Sequence, residues 1–413
     1  MSELQAVLLC AGSGNRMPEL TEHLSKSLLP VAGIPMFWFP LNSISKTGVR
    51  DVKLITCEEY RAEYEKLLED PFYQWDHMQV EVLSLPRDHD DWGTGDAFRH
   101  FQPKFTHDVL VVSGDFISDM SLTPMIELFR CESATLCMLL SEHCITGNIP
   151  GPKVRRSKGR DLVAWCEQSK RIAFCSPEED FEKSISGDSW INRLNELTLT
   201  AKLNDCHVYL LRNSAIELLA THKNFASLKA DLVPFLLNKQ FEPAASCESK
   251  SPPTCFVYVQ PVQNGTIVAH ANNLGSYFEI SKTILKALPR ISPRLTLGQE
   301  INFKATGTSC ISSRVGDSSK ISAGVVIKMS SIGEHVLIDE KARIQGSVVM
   351  DRVEIGKGAH ISMSILCPGV KVMDGAEVVN CIISNDQVVH PNVKLQNELL
   401  EAESDGEDWR NEF

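Results

Sequence analysis

A repeat of 17 residues occupies the C-terminal part of the chain and constrains its fold more than any other feature. From about residue 311, aliphatic residues recur at this spacing in three columns, and a fourth column holds small residues. Within one repeat the aliphatic residues are 6, 5 and 6 positions apart. The four columns are Ile321, Ile338, Ile355, Val372 and Val389; Ile327, Ile344, Ile361, Val378 and Leu395; Val315, Ile332, Val349, Leu366 and Ile383; and Val325, Ala342, Ala359, Ala376 and Val393.

This spacing is typical of a coil made of three short strands, each of which points one aliphatic residue inward. Stacked coils bury a continuous core, and a crowded interior corner accepts only small side chains. Gly316, Gly333 and Gly356 each follow an inward aliphatic residue. A β-sandwich would instead show alternation with period two and loops of variable length. We therefore predict a left-handed parallel β-helix of hexapeptide type over residues 311–396.

The N-terminal part of the chain alternates short aliphatic runs with amphipathic stretches. This order is typical of βαβ units and a mostly parallel sheet. It predicts a Rossmann-like α/β domain over residues 1–240. The predicted buried strands are Ala6–Cys10, Val52–Thr56, Val80–Leu85 and Val109–Val112.

Two further segments differ in composition from both predicted domains. Residues 241–310 are predicted to be a linker and bridging segment, because residues 242–254 are rich in Pro, Ser and Ala and residues 277–288 have helical character. Residues 397–413 hold seven acidic residues and one arginine, and we predict an acidic tail there.

Overall composition excludes several classes of protein. The formal net charge of -12 disfavours direct binding to nucleic acid, which needs a basic surface. The 13 cysteines occur singly, without a Cys-x-x-Cys pair, as expected of a reduced intracellular chain. No apolar run approaches the roughly 18 residues of a membrane span. We expect a protein of the cytosol that binds neither nucleic acid nor membrane.

A glycine-containing segment, Cys10–Met17, follows the first predicted strand directly. Glycines at a strand–helix junction let backbone N–H groups approach phosphates. Leu20-Thr21 and then Lys26–Val31, which reads Lys-Ser-Leu-Leu-Pro-Val, come after it. Together these motifs resemble the opening signature of the sugar-nucleotide pyrophosphorylases, a nucleotidyltransferase family that often carries a C-terminal β-helix.

The resemblance implies which residues descend from a catalytic site. In active family members the glycine loop, an Arg and a Lys hold the nucleoside triphosphate, and an Asp at the end of a central strand holds Mg²⁺ with a second acid. The nucleotide-binding positions that match are Gly12, Gly14, Arg16 and Lys26. The metal-binding positions are Asp115 and, for the second acid, Asp231.

The departures from the family pattern imply that these positions are vestigial. The active loop usually reads Gly-Gly-x-Gly-Thr-Arg-Leu, whereas residues 11–17 here read Ala-Gly-Ser-Gly-Asn-Arg-Met. The sugar-binding Glu-Lys-Pro is replaced by Glu167–Lys170, and the Asn-x-Gly that holds sugar hydroxyls by Asn204–His207. Loss of such contacts is costly in a site built for hydrogen bonds. We predict no catalytic residue, no resident metal and no required cofactor, and residual nucleotide binding stays an open alternative.

With these departures, the sequence resembles the gamma-type subunits of translation initiation factor 2B. The resemblance implies a non-catalytic subunit of a complex that exchanges guanine nucleotide on initiation factor 2. The implied partners are a catalytic epsilon-like paralogous subunit, the other factor 2B subunits and initiation factor 2. The epsilon type carries an added C-terminal helical-repeat domain, which we do not expect here. The supporting segments are Met36–Asn42, Thr94–Pro103, Asp108–Arg130, Cys206–Leu211, Ser227–Phe241 and the repeats.

Two enzymatic alternatives remain. The first is an active mannose-1-phosphate guanylyltransferase or its regulatory paralogue, against which the altered sugar-site motifs argue. The second is a hexapeptide acyltransferase, whose chemistry needs a base. His335, His360 and His390 lie within the repeats and are the residues that could supply one.

Overall fold

The chain folds into an α/β domain that packs against a C-terminal β-helix. The computed structural model describes residues 4–12, 14–22, 24–87, 92–142, 149–152, 160–181, 190–191, 193–194, 196–242, 252–260, 266–293, 295 and 307–401. The predicted order of a Rossmann-like domain followed by a parallel β-helix is confirmed.

A seven-stranded mixed sheet forms the centre of the α/β domain. Its strands are β1 (Leu4–Leu9), β4 (Asp51–Cys57), β5 (Gln79–Leu85), β6 (Asp108–Ser113), β8 (Leu136–Ser141), β12 (Asn204–Leu211) and β13 (Cys255–Gln260). They lie in the order β13-β8-β12-β6-β1-β4-β5. All neighbouring strands are parallel except that β12 runs antiparallel to both β6 and β8. The central strands read as aliphatic runs because both faces of the sheet are covered.

Smaller strands complete this domain. A three-stranded sheet has the order β10-β9-β11, and two pairs join β2 to β3 and β7 to β14. Their bounds are β2 (Pro30–Val31), β3 (Ile34–Pro35), β7 (Phe116–Ser118), β9 (Asp161–Cys166), β10 (Ile172–Pro177), β11 (Leu197–Thr200) and β14 (Val268–His270).

Helices cover the two faces of the large sheet, so consecutive residues of β1 enter different cores. Ala6 and Leu8 join one apolar cluster, whereas Val7 joins the other. Among the described helices, none is long and apolar enough to cross a membrane. The helices are α1 (Pro18–Thr21), α2 (Trp38–Ser45), α3 (Arg61–Glu69), α4 (Thr94–His100), α5 (Thr123–Cys131), α6 (Asn213–Thr221), α7 (Val233–Lys239), α8 (Leu274–Thr283) and α9 (Leu288–Ile291), with a π-helical turn at Leu228–Leu232.

The structure corrects the predicted linker over residues 241–310. Strand β13 lies within it and pairs in parallel with β8 at the edge of the large sheet. Strand β14 pairs with β7, and helix α8 begins after Asn273, whose side chain accepts the N–H of Ser276. The Pro- and Ser-rich composition concealed a five-residue run at 255–259, whose first three residues are buried and which is apolar enough to close the sheet. Residues 243–251 lie outside the described part of the chain.

The β-helix consists of three parallel sheets whose paired residues are 17 apart, as in Ile338↔Ile355. The predicted inward columns are buried or partly buried, except that Val393 in the last coil is 36% exposed. Strands run from Ser309 to Leu400, slightly beyond the predicted 311–396 at both ends. The tail prediction is corrected at Leu399–Leu400, which form a strand, and residues 402–413 lie outside the described residues.

The strands of the β-helix belong to three faces. Face one contains β15 (Ser309–Ile311), β18 (Val326–Lys328), β21 (Arg343–Gln345), β24 (His360–Ser362), β27 (Glu377–Val379) and β30 (Lys394–Gln396). Face two contains β16 (Arg314–Val315), β19 (Ser331–Ile332), β22 (Val348–Val349), β25 (Ile365–Leu366), β28 (Ile382–Ile383) and β31 (Leu399–Leu400). Face three contains β17 (Lys320–Ile321), β20 (Leu337–Ile338), β23 (Glu354–Ile355), β26 (Lys371–Val372) and β29 (Val388–Val389).

A ladder of buried serines adds a fifth column to the β-helix. The hydroxyl of Ser347 donates to the carbonyl of Gln345 (2.9 Å) and accepts the N–H of Ser364 (3.2 Å), one coil further on. Ser313, Ser330 and Ser364 form equivalent bonds. Each hydroxyl therefore satisfies backbone groups that a tight, buried corner would otherwise leave unpaired.

Face two of the β-helix packs against the α/β domain. Val348, Ile365 and Ile382 belong to the same apolar cluster as the aromatic residues of α2 and α8. At the edge of the contact, Arg314 donates to the carbonyl of Ala32 (2.9 Å) in the turn between β2 and β3. This turn directly follows the motif Lys26–Val31, so the β-helix supports the segment that comes after the glycine loop.

Candidate functional site

The glycine loop after β1 contains two glycines with different roles. Gly14 has a φ of +72°, and a Cβ there would lie 2.6 Å from the side chain of Thr21, so the loop itself requires glycine. Its carbonyl accepts the N–H of Met17 (2.8 Å) at the start of α1. A Cβ on Gly12 would meet no atom within 4 Å, because this residue faces a cavity. Arg16 is exposed.

A cavity of about 900 Å³ lies beyond the carboxyl ends of β1 and β4. This is where open α/β sheets bind ligands. Gly12 and Asn15 form part of its wall, and Trp92 forms another part. Glu58 and Glu59 also line it, whereas among its described lining residues only Arg87 carries positive charge. The cavity has the size for a nucleotide but not the charge that a triphosphate needs.

The fold brings Lys26 and Asp115 together, but the two side chains bind each other and do not face an open site. The ammonium of Lys26 forms an ion pair with the carboxylate of Asp115, and these side chains are only 15% and 3% exposed. Ser113 donates a second hydrogen bond to Asp115 (2.6 Å). Gly114 permits this approach, since a Cβ there would lie 2.6 Å from the hydroxyl of Ser27.

The charge of Lys26 decides the ionisation of Asp115. Burial alone would raise the pKa of this carboxyl, but the neighbouring ammonium outweighs burial and holds the pKa below its ordinary value. Asp115 is therefore an anion at neutral pH, and Lys26 neutralises it. Neither charge is then available to a phosphate or a metal ion without breaking the pair.

Two stacked histidines lie beside this ion pair, and the sequence did not predict them. The rings of His207 and His270 are 4.7 Å apart and nearly parallel. Burial, with a smaller effect of Lys229, lowers the pKa of His207 to about 4. Burial and the neighbouring His207 lower the pKa of His270 to about 3. Both rings are therefore neutral at pH 7.

One sequence signal for this arrangement lies at His207, whose backbone has a conformation that glycine adopts more readily. Its φ is +53°, a conformation that favours glycine, and it lies within an irregularity in the pairing of β12 with β8. His207 lies in Asn204–His207, where the pyrophosphorylase pattern has Asn-x-Gly. A side chain thus occupies a conformation in which glycine would leave open space.

A second buried ionic cluster fixes the same strand. Lys229 lies 3.0 Å from the carboxylate of Asp161 and 3.8 Å from that of Asp205. Burial would lower the pKa of Lys229, but Asp205 and Asp161 raise it above its usual value. Asp205 also accepts the backbone N–H of His207 (2.8 Å), so the cluster holds the irregular turn of β12 in place.

Asp231, the predicted second metal ligand, closes its own helical turn. Its carboxylate accepts the backbone N–H of Ser227 (2.7 Å), and the hydroxyl of Ser227 accepts that of Ala230 (3.1 Å). Within the described ranges, no three His, Cys, Asp or Glu side chains converge as ligands of one ion. With Asp115 paired to Lys26 as well, the residues present do not fit a magnesium site.

The other residues that the sequence analysis named either contact neighbouring side chains or lie on the surface. In the turn between β9 and β10, Gln168 donates to the carboxylate of Glu196 (2.6 Å), and Lys170 lies over the ring of Trp165. The three histidines of the β-helix are exposed on its outer surface: His335, His360 and His390.

The sheet order, the glycine loop at the end of β1 and the appended β-helix define a nucleotidyltransferase-like protein with a C-terminal hexapeptide domain. Comparison with protein families agrees, because a nucleotidyl transferase model matches residues 5–143 and a model of the GlmU-like C-terminal hexapeptide matches residues 299–366. The translation initiation factor eIF2B subunit gamma of Caenorhabditis elegans is 38% identical over 336 residues, which cover 81% of each chain. The chain belongs to the family of eIF2B gamma subunits.

Two more distant relatives are also subunits of this translation factor. The eIF2B subunit gamma of Schizosaccharomyces pombe is 24% identical over 308 residues, or 70% of this chain and 66% of that protein. The eIF2B subunit epsilon of Dictyostelium discoideum is 22% identical over 292 residues, or 68% of this chain and 38% of that protein. The chain is thus similar to two different subunits of one factor.

Proposed function

We propose that the chain is a non-catalytic subunit of an eIF2B complex, the guanine nucleotide exchange factor for initiation factor 2. The observation that carries the proposal is the similarity of one chain to both gamma and epsilon subunits. The chain contributes to exchange only within the complex, paired with an epsilon-like subunit and in contact with the other factor 2B subunits and initiation factor 2. This work takes place in the cytosol and involves no direct contact with nucleic acid or membrane.

The altered site supports the non-catalytic part of this proposal. Phosphoryl transfer depends on free cations that neutralise developing charge. Lys26 is committed to Asp115, and Asp231 accepts a backbone N–H of its own turn. The stacked pair His207 and His270 takes up space beside the ion pair and adds no charge at neutral pH. In this nucleotidyltransferase fold, side chains therefore bind one another at the positions where an active enzyme would bind substrate.

The same geometry bears on nucleotide binding. The cavity beside Gly12 has room for a nucleoside, but Glu58 and Glu59 repel phosphates near it. We propose that the chain requires no cofactor for its role in the complex. Any nucleotide that enters has to compete with Asp115 for Lys26 before its phosphates gain a partner.

The purified chain is expected to release no pyrophosphate from GTP or ATP in the presence of mannose 1-phosphate or glucose 1-phosphate. A coupled pyrophosphate assay with Mg²⁺ measures this, with an active pyrophosphorylase as positive control. Asp115→Asn serves as the matched variant. Turnover by the natural chain that disappears in Asp115→Asn would identify a working transferase and overturn the non-catalytic assignment.

The proposed exchange role predicts how the chain changes the rate of GDP release that an epsilon-like subunit produces. The chain alone is expected to leave the rate of fluorescent GDP release from initiation factor 2 unchanged, whereas adding it to an epsilon-like subunit is expected to raise that subunit's rate. Co-purification of the two chains provides the binding control. If the chain neither co-purifies with the epsilon-like subunit nor raises its rate, the proposed function is wrong.

A further inference from the structure

A small cavity lies between the end of α3 and the start of β5. Its volume is about 190 Å³, and it is lined mainly by Leu68, Tyr73, Trp75, Met78 and Val80. An apolar cavity of roughly 150 Å³ is large enough to hold benzene. This cavity therefore has the size for one bulky side chain, and it is too small for a nucleotide or a drug-sized ligand.

Aromatic packing makes the cavity walls rigid. Tyr73 stacks on Phe37 at a centroid distance of 5.7 Å, and Phe37 meets Tyr64 edge-on at 5.1 Å. Trp75 lies 6.3 Å from Trp38, which is fully buried. Because these rings are already fixed, a side chain that enters the cavity does not have to order its walls, and preformed pockets of this kind hold the anchor residues of interfaces.

The surroundings of the cavity are acidic. Asp76 lines it, and Gln74, which also lines it, donates to the backbone carbonyl of Glu69 (3.1 Å). Glu69, Asp70 and Asp76 are exposed. Within the described part of the chain, no lysine or arginine forms an ion pair with any of the three. Exposed carboxylates beside a cavity that is lined mainly by apolar side chains favour a basic partner.

The adjacent backbone offers room for an extended segment. Strand β5 begins at Gln79, directly after Met78, and forms one edge of the described seven-stranded sheet. An edge strand presents backbone N–H and carbonyl groups to whatever lies beside it. The cavity and this edge therefore meet at the N-terminal end of β5.

We propose that this cavity and its acidic rim form a docking site for a partner protein, which inserts one bulky apolar side chain from an extended segment flanked by lysine or arginine. The side chain fills the space between Trp75 and Met78, and the basic residues face Asp76 and Glu69. The proposal concerns binding by this chain alone and does not depend on the exchange function.

Short peptides of defined sequence test the proposal on the full chain. The probes are acetyl-Lys-Gly-Phe-Gly-Lys-amide, the same peptide with Ala for Phe, and the same peptide with Glu for both Lys. The readout is the methyl resonance of Met78 in a chain labelled with ¹³C-methyl methionine, identified with Met78→Leu. Burial of the phenylalanine ring removes apolar surface from water, so the Phe peptide is expected to bind at least about tenfold more tightly than the Ala peptide.

Charge variants distinguish the contribution of the acidic rim to binding from that of the cavity. Asp76→Lys is expected to weaken binding of the Phe peptide severalfold and to remove the preference for Lys over Glu in the peptide. Glu63→Lys, which changes another exposed acid that lies on α3 and does not line the cavity, is expected to change neither. Unchanged melting temperatures confirm that both variants fold. If Met78 does not respond to the Phe peptide, or if the Ala peptide binds equally well, the cavity is not an anchor site. If Asp76→Lys leaves binding unchanged, the partner is not basic and the proposal fails in that respect.

Discussion

Replacing Ile338 with aspartate is expected to lower the free energy of unfolding of the β-helix by about 3–5 kcal/mol, because it places a carboxyl group in a closed apolar column. Ile338 is 2% exposed and lies between Ile321 and Ile355 of the neighbouring coils. No basic group lies in this interior core, whose described members are apolar. Urea unfolding followed by circular dichroism measures the loss.

The adjacent residue supplies a control on the same strand. Leu337 points outward from β20 and is 44% exposed, so Leu337→Asp is expected to change the free energy of unfolding by less than about 1 kcal/mol. The two variants differ by one position and introduce the same side chain. Equal stability of Ile338→Asp and Leu337→Asp would mean that the 17-residue columns have been assigned to the wrong face.

The repeat could be predicted because stacking imposes one strict period on the inward residues. One set of corners of the β-helix could not, since these positions need a positive φ but not one residue type. The corner positions Ser318, His335, Arg352, Gly369 and Asp386 all have positive φ, and five different residues occupy them. Their backbone is set by the closure of the coil, which overrides the preference of each residue. A search for glycine columns would have missed these turns.

Contacts between distant segments were also beyond the reach of sequence analysis. Strand β13 joins the large sheet only because residues 255–260 meet β8, which is more than 100 positions earlier in the chain. The cluster of Lys229 with Asp161 and Asp205 likewise unites three separate segments. Each residue taken alone resembles an ordinary surface charge, and only the fold reveals that Asp205 is fully buried.

The candidate site, too, could be predicted only in part. A motif placed Lys26 and Asp115 near the carboxyl ends of the strands, and both residues are there. The motif carried no information on whether the two charges face a ligand or face each other. That outcome depends on the local balance between burial, which penalises both charges, and their mutual attraction, which decides the geometry of the pair.

Replacing Lys26 with methionine is expected to destabilise the α/β domain by about 3–5 kcal/mol at pH 7, because the substitution leaves the carboxylate of Asp115 buried without its cation. Methionine keeps the length and the apolar stem of lysine, so the loss of packing is small. Lys66→Met removes an exposed lysine from α3 and is the matched control, with an expected change of less than about 1 kcal/mol. Thermal or urea unfolding of the three chains gives the comparison.

The pH dependence identifies Asp115 as the cause. In the natural chain, the lowered pKa of Asp115 contributes stability above the ordinary aspartate value of 3.8, and this contribution is lost as pH falls towards the folded-state pKa. In Lys26→Met, the ammonium no longer opposes burial, so the pKa of Asp115 rises and the variant gains stability relative to the natural chain between pH 7 and pH 4.5. The double variant Lys26→Met/Asp115→Asn removes the stranded charge and is expected to be more stable at pH 7 than Lys26→Met. A deficit in Lys26→Met that is independent of pH and persists unchanged in the double variant would show that the lysine stabilises the domain through packing and not through its charge.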